Sequence, residues 1–218
     1  YLALMDASTL FQENKLAGNI KIAASKTISN YIMPNIYYDF LSKYKDVKLD
    51  ILTINSSSII DKILKNELDI GLIEVDTQNS SLIKEKLADD ELIVVSSDEK
   101  HPSIAFIDAI KKRWILREIG SGTREIFMSK IGEISKELDI FMQLQDFEEI
   151  KTIVLNNKNT VTVLSKVIVK KELKQKKLFE IKLKNIEFKR EFYLVYHKDK
   201  TKNLLFETFI EFIKNRLN

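Results

Sequence analysis

The sequence predicts an α/β protein of two lobes, each built on a parallel sheet. From residue 19 onward, short apolar segments alternate with amphipathic segments, and the connections between them are short. Because neighbouring parallel strands need a crossover helix, this alternation predicts strand–helix–strand units. The pattern starts again after residues 91–96, which predicts a second unit. A chain of 218 residues with 44% hydrophobic content can fill both cores.

The first lobe is predicted from its apolar runs and their periodicity. A helix is expected over Ile28–Tyr44, with Pro34 kinking it or starting a second segment because proline lacks a backbone donor. A second helix, Ser57–Lys65, carries apolar residues on one face. The strands between these helices are predicted at Ile20–Ala24, Val47–Ile54 and Asp69–Glu74.

The second lobe follows the same logic, beginning with a strand at Glu91–Ser96. Its further strands are predicted at Trp114–Arg117, Phe141–Gln145 and Val161–Leu164, and its helices at Ile104–Lys112, Thr123–Leu138, Glu148–Asn156 and Val167–Lys176. Strand material over Phe179–Tyr196 and a helix at Leu204–Leu217 close the chain. If these last elements return to the first lobe, two segments cross between the lobes, near 91–97 and 188–193. They would form a hinge beside a cleft.

Composition excludes several classes of function. The 35 basic residues nearly balance 32 acidic ones, so a net charge of +3 is too small for a surface that neutralises nucleic-acid phosphates. The chain has no cysteine, and its two histidines, His101 and His197, are far apart in sequence, so no metal site, disulfide or catalytic triad is predicted. No apolar run approaches the roughly 20 residues that span a bilayer.

The segment from Trp114 to Glu125 is the most informative motif. An apolar strand runs into Gly120-Ser121-Gly122-Thr123-Arg124 and then into a helix. Free backbone N–H groups, two hydroxyls and a guanidinium at a helix start can hold an anion. The third glycine of a dinucleotide fingerprint and the Gly-Lys-Ser/Thr of a P-loop are both missing. The alternative is a simple strand–helix turn with a helix cap.

Other polar residues follow strands of the first lobe. Ser25 and Thr27 form a second hydroxyl-rich helix start, and Ser56 lies after the next strand, where it could instead only cap a helix. Glu74 ends the third strand and either faces the cleft or is a solvated acid. Because ligands of open α/β sheets bind at the carboxyl ends of strands, we expect these groups to face one cleft.

A family resemblance becomes specific at several of these positions. The segments Ala17–Ser25, Tyr31–Pro34 and Asn66–Glu74, with His101-Pro102 and the Arg117–Arg124 block, resemble the effector-binding domain of LysR-type transcription regulators. The likeness implies a type II periplasmic-binding-protein-like fold of two Rossmann-like lobes joined by two hinge strands. It also implies an inducer in the cleft and a DNA-binding winged helix-turn-helix on a long linker helix, which this chain lacks.

The resemblance also implies a division of the chain. Residues 1–16 would end the linker helix, residues 17–92 with 193–218 would form lobe I, and residues 93–192 would form lobe II. Relatives have a glycine-containing turn where this chain has Asn156–Thr160, and since asparagine can adopt positive φ the turn can form. The ligand-binding residues are then predicted to be Ser25, Thr27, Ser56, Glu74, Gly120, Ser121, Gly122, Thr123, Arg124 and Thr162.

The predicted function is a cytoplasmic sensor that makes and breaks no bond and needs no cofactor or metal. The Arg117–Arg124 segment resembles that of LysR-type regulators that govern sulfur or related anion metabolism. The expected effector is therefore a small anion such as sulfite, sulfate or a small carboxylate. The expected assembly is a homodimer or homotetramer anchored by Tyr37 and Tyr38, which are predicted to be an exposed aromatic pair. It would contact DNA only through the missing DNA-binding domain and would contact no membrane. An extracytoplasmic solute-binding protein of the same fold is the alternative, and an enzyme on this scaffold is third.

Overall fold

The computed structural model of the chain describes residues 16–99, 103–104, 106–183 and 186–217. The predicted linker helix, apart from Leu16, and the His101-Pro102 landmark lie outside the described residues. Ten strands are described: β1 (Ala17–Ala24), β2 (Asp46–Thr53), β3 (Ile70–Ile73), β4 (Leu82–Ser96), β5 (Ser103–Ile104), β6 (Arg113–Arg117), β7 (Ile140–Leu144), β8 (Thr160–Ser165), β9 (Phe179–Leu183) and β10 (Phe188–His197).

Seven α-helices are described, and most of them connect parallel strands. They are α1 (Pro34–Lys43), α2 (Ser56–Leu64), α3 (Phe106–Ile110), α4 (Gly122–Ile131), α5 (Phe147–Asn156), α6 (Lys166–Lys174) and α7 (Leu204–Leu217). A π-helical turn, Ile28–Ile32, precedes α1, and a 3₁₀ segment, Gly132–Glu137, follows α4. No helix in the described part of the chain is long and apolar enough to cross a membrane.

The strands form one open sheet in the order β2-β1-β3-β10-β4-β8-β6-β7. As predicted, β1 runs parallel to β2 and β3, and β6 runs parallel to β7 and β8. The two central strands, β4 and β10, are antiparallel to each other and to their outer neighbours. The predicted α/β fold with two crossing strands is therefore confirmed.

Hydrophobic side chains pack on both faces of each end of the sheet. On β1, Ile22 and Ala24 face α1 and α7, whereas Ala23 faces α2, because successive strand residues point to opposite faces. On β6, Trp114 and Leu116 face α4, whereas Ile115 faces α5 and α6. Each end is thus a three-layer α/β unit with its own core.

Two strands carry the chain between these units. β10 pairs with β4 from Phe188 opposite Leu92 to His197 opposite Leu82, with a bulge between Phe192 and Tyr193. The last part of β4 pairs with β8, and the middle of β10 pairs with β3. The residue limits proposed for the lobes stay a prediction, since pairing alone fixes no boundary.

Several predicted elements differ from those observed. The strand predicted at Glu91–Ser96 begins nine residues earlier, at Leu82, because pairing with β10 stabilises a stretch in which charged residues outnumber the apolar ones. The strand predicted over Phe179–Tyr196 is two strands. The helix predicted over Thr123–Leu138 ends at Ile131, where Gly132 has a φ of +56°.

Two predictions around prolines and turns are also resolved. The helix predicted over Ile28–Tyr44 is divided before Pro34, where α1 begins, as the missing proline donor suggested. Ile104 lies in β5 and not in a helix. The turn before β8 forms, as expected, and none of its asparagines has positive φ.

Candidate functional site

Three elements bring polar residues to one place between the two units. Ser25 directly follows β1 and Glu74 directly follows β3, and these strands are parallel neighbours whose carboxyl ends share an edge of the sheet. The first turn of α4, from the other unit, places Gly122 and Thr123 against them. The predicted convergence of two helix starts is present in the structure.

The carboxylate of Glu74 lies at the centre of this cluster. Its side chain is 2% exposed, and it accepts hydrogen bonds from Ser25 Oγ (2.6 Å), Arg190 Nη1 (2.7 Å) and Thr123 Oγ1 (3.3 Å). Ser25 and Thr123 belong to different units, so this one carboxylate joins both. The backbone N–H of Glu74 donates to Ser56 Oγ over 3.3 Å.

Arg190 supplies the positive charge of the site. It projects from β10, and its Nε donates to Asp90 Oδ2 (2.6 Å) while Nη1 also donates to Thr123 Oγ1 (3.0 Å). The hydroxyl of Ser165 donates to the other oxygen of Asp90. Asp90 and Ser165 therefore fix the guanidinium from the side opposite Glu74.

Electrostatics keep Glu74 ionised. Burial acts to raise its pKa, but the Arg190 guanidinium and the Ser25 hydroxyl outweigh burial, and the pKa lies below its usual value. The Thr27 hydroxyl adds to this lowering, although its geometry falls short of a hydrogen bond. The buried pair of Glu74 and Arg190 is thus charged at neutral pH.

The two glycines of the motif allow close approach between the units. A Cβ at Gly122 would lie 2.8 Å from the Cβ of Glu74, closer than real Cβ atoms come, and 3.2 Å from Ser56 Oγ, which is tighter than most Cβ contacts. Gly120 has a φ of +85°, which favours glycine, and its carbonyl accepts from the N–H of Ser57 over 3.4 Å. Any larger residue at Gly122 would push the units apart.

Several buried donors around the cluster have no hydrogen-bond partner among the described residues. They are Thr27 Oγ1, Ser121 Oγ and Arg190 Nη2. Thr27 is fully buried and Ser121 is 2% exposed, so water does not substitute freely. Because buried polar groups are nearly always paired, unpaired donors beside a guanidinium indicate a place for a further acceptor.

Two predicted residues lie apart from this cluster. Arg124 turns toward β7, where its Nη1 donates to Gln143 Oε1 (2.7 Å) and to the carbonyl of Arg117 (2.9 Å). Thr162 is buried within β8 opposite Val95, and no hydrogen bond in the described part of the chain joins it to Glu74 or Arg190. Of the other eight, Glu74 is the centre, Gly120 meets the first unit through Ser57, and Ser121 lies between Gly120 and Gly122 with no hydrogen bond to Glu74 among the described residues. The remaining five face Glu74: Ser25, Thr27, Ser56, Gly122 and Thr123.

Sequence reasoning missed Arg190 and Asp90. A signal was present, because Arg190 shares the inward parity of Phe188 and Phe192 along a strand of alternating burial. A charged residue at an inward position needs a buried partner of opposite charge. Such a residue therefore marks either a functional site or a structural ion pair. Asp90 had no comparable signal, since the first part of β4 was not predicted as a strand.

A cavity of about 570 Å³ opens beside the cluster. Glu74 and Arg190 form part of its wall. Its other charged lining residues are Asp76, Asp89, Glu125, Lys130, Lys189 and Glu191. The described residues contain no group of three or more His, Asp or Glu side chains that could hold a metal ion.

A second set of contacts joins the units on the other side of the cleft. Lys26 Nζ donates to the carbonyl of Gln145 (2.6 Å), and the Tyr31 hydroxyl donates to Glu148 Oε1 (2.8 Å). The ring of Tyr31 also packs on Phe147, with 5.5 Å between centroids. Burial and the Glu148 carboxylate raise the pKa of Tyr31, so it remains a neutral donor.

Comparison with known sequences gives a consistent family. A family model described as the LysR substrate binding domain matches residues 13–218. The chain is 28% identical over 205 residues to the HTH-type transcriptional regulator CysL of Bacillus subtilis, a match that covers 91% of this chain and 67% of CysL.

Solved structures share the fold. The regulatory domain of Synechocystis PCC6803 CcmR, solved in complex with 2-PG, superposes with a TM-score of 0.79 at 21% identity, covering 92% of this chain and 98% of that one. A candidate phosphate ABC transporter substrate-binding protein of Clostridium perfringens, solved with bound phosphate, gives a TM-score of 0.75 at 19% identity, covering 90% and 93%. At these identities the likeness establishes the fold.

Proposed function

Because the chain belongs to the family of LysR substrate-binding domains, we propose that it senses a small anionic effector between its two units. Binding would change the relation between the units and thereby the way a transcription regulator presents its DNA-binding domain. The names of the relatives favour regulation over transport by the same fold.

One observation carries the anionic character of the effector. Thr27 Oγ1, Ser121 Oγ and Arg190 Nη2 are buried donors without partners among the described residues, and all belong to the two helix starts or to the buried guanidinium. Hydroxyls and a guanidinium offer donors to an acceptor-rich ligand. Sulfite, sulfate and small carboxylates have the size and the acceptors that such a site requires.

The proposal also covers how the regulator contacts DNA and how it assembles. The chain spans 67% of the length of CysL, so DNA contact is assigned to a domain outside it, in keeping with the balanced charge. We expect the domain to act in the cytoplasm, without catalysis or cofactor, in a homodimer or homotetramer. Tyr38 is 73% exposed and can anchor that assembly, whereas Tyr37 is buried, so its predicted exposure was wrong.

Calorimetric titration of sulfite, sulfate and small carboxylates into the domain tests this function. We expect at least one anion to bind to wild type and to bind Thr123→Val about tenfold or more weakly, because a hydrogen bond to a charged group contributes about 1.5–3 kcal/mol. Thr152→Val is the matched control, since Thr152 is exposed on α5. Failure of every anion to bind, or equal weakening by both substitutions, would refute the proposal.

A further inference from the structure

We propose that the Glu74 carboxylate is a built-in anion that holds the effector position when no effector is bound, so that an anionic effector binds by displacing it. This inference rests on the proposed function. Glu74 then competes with the effector for the same donors, and this competition determines which anions bind and how tightly.

Glu74 carries the same kind of charged group as the proposed effector. A carboxylate is an oxyanion, and Glu74 satisfies Ser25 and Thr123, two of the groups that the sequence predicts as anion donors, together with Arg190. All three contacts use charge-assisted hydrogen bonds, which are the strong ones. An effector anion that uses these donors must take the place of the Glu74 oxygens.

Glu74 does not provide a hydrogen-bond acceptor for every donor of the site. The two carboxylate oxygens leave Ser121 Oγ and Arg190 Nη2 without partners among the described residues, and Thr27 Oγ1 falls short of a hydrogen bond to Glu74. An anion with three or four oxygens can accept from more of these donors than a tethered carboxylate can. The site is therefore better matched to such an anion than to Glu74, which makes displacement possible.

The contacts of Arg190 do not all depend on Glu74. Asp90, itself held by Ser165, binds Arg190 through Nε and Oδ2 over 2.6 Å, so the guanidinium keeps its position when Nη1 is released. The cavity of about 570 Å³ already includes Glu74 in its wall, and Lys130 and Lys189 line it. A displaced carboxylate can turn into this space, whose wall also carries Asp76, Asp89, Glu125 and Glu191, so solvent there must replace its lost hydrogen bonds.

The experiment removes the tethered carboxylate and supplies a free one. We expect 50 mM sodium formate, compared with sodium chloride of equal ionic strength, to raise the Tm of Glu74→Ala and to leave that of wild type unchanged, because ligands stabilise only the state that binds them. No formate-specific stabilisation of Glu74→Ala, or equal stabilisation of both proteins, would overturn the proposal.

A second variant covers the case in which Glu74→Ala does not fold. Glu74→Gln keeps the shape of the side chain without its charge, and we expect it to bind sulfate or sulfite at least tenfold more tightly than wild type. Glu125→Gln is the control, because it removes a negative charge that lines the same cavity and should change affinity far less. If wild type binds the anion, equal or weaker binding by Glu74→Gln, or an equal gain by Glu125→Gln, would overturn the proposal.

The two proposals fail separately. If formate stabilises Glu74→Ala but neither wild type nor Glu74→Gln binds sulfite, sulfate or small carboxylates, the built-in anion stands and the proposed effector class is wrong. If wild type and Glu74→Gln bind an anion with the same affinity through Thr123, the effector class stands and Glu74 is only a structural partner of Arg190.

Discussion

At the scale of single residues, the site depends on a buried ion pair whose two charges are unequally supported. Arg190 has a second carboxylate, Asp90, whereas Glu74 depends on Arg190 and on hydroxyls from both units. Breaking a buried pair by removing one partner is strongly destabilising unless the remaining charge is still compensated. Arg190 is compensated and Glu74 is not, so the two positions should respond differently to substitution.

The lowered pKa of Glu74 gives a pH dependence of known sign. A carboxyl whose pKa is lower in the folded than in the unfolded state adds stability above its unfolded pKa, about 4.3, and loses it as the pH falls through the folded pKa. The difference in unfolding free energy between wild type and Glu74→Gln should therefore shrink as the pH falls below about 4.3, by up to about 1.4 kcal/mol per pH unit.

Denaturant titrations at several pH values in low and high salt measure this difference. Glu187→Gln is the control, since the pKa of Glu187 is lowered by an exposed lysine, Lys189, whose influence salt should remove. The Glu74 difference should persist in high salt because the pair is buried. A difference that is constant with pH would show that Glu74 is not preferentially ionised in the folded protein.

The chemistry of the helix starts could be predicted from sequence, but its electrostatics could not. Ser25 and Thr123 follow apolar runs at places where strands end, which local pattern reveals. The position of Arg190 opposite Glu74 depends on β10 inserting between β3 and β4, a pairing between residues 96 to 124 positions apart. Local periodicity carries no information about such pairing.

At the scale of elements, the approach of α4 to the end of β3 determines how closely the units meet. A Cβ at Gly122 would meet Glu74 at 2.8 Å and Ser56 at 3.2 Å. We expect Gly122→Ala to lower the unfolding free energy by about 1–3 kcal/mol, the usual range for overpacking. Ser129→Ala, on the exposed side of the same helix, should change it by less than about 0.5 kcal/mol.

Chemical denaturation of the two variants compares these effects. If Gly122→Ala is as stable as wild type, the units separate without loss at this point, and the contact between α4 and β3 does not hold the site together. Five of the seven described helices were predicted to within two residues at each end because amphipathic periodicity is local. The early part of β4 was not, because a charged stretch becomes a strand only through its pairing with β10.

At the scale of the whole molecule, the fold places the site at the meeting of the two units. Glu74 and Arg190 join them on one side, and Lys26 and Tyr31 join them to Gln145 and Glu148 on the other. An anion that replaces Glu74 would change one set of contacts and leave the other in place. Such an unequal change can alter the angle between the units, which is the kind of change that a regulatory domain transmits.

The overall architecture was predictable because alternating strands and helices with short connections leave few possible topologies. The family resemblance rested in part on residues that follow strands, among them Ser25, Glu74 and Thr123, and these three meet in the site. The charge balance within the cleft was not predictable, since Glu74 could equally have been a solvated acid until Arg190 was placed beside it.

A crystal structure of the domain with the anion that binds most tightly in the calorimetric titration tests the central claim most directly. We expect electron density for that anion between Ser25, Thr123 and Arg190, with the Glu74 carboxylate turned away into the adjoining cavity. An anion bound outside the space between the units, or bound there with Glu74 still on Arg190, would contradict it.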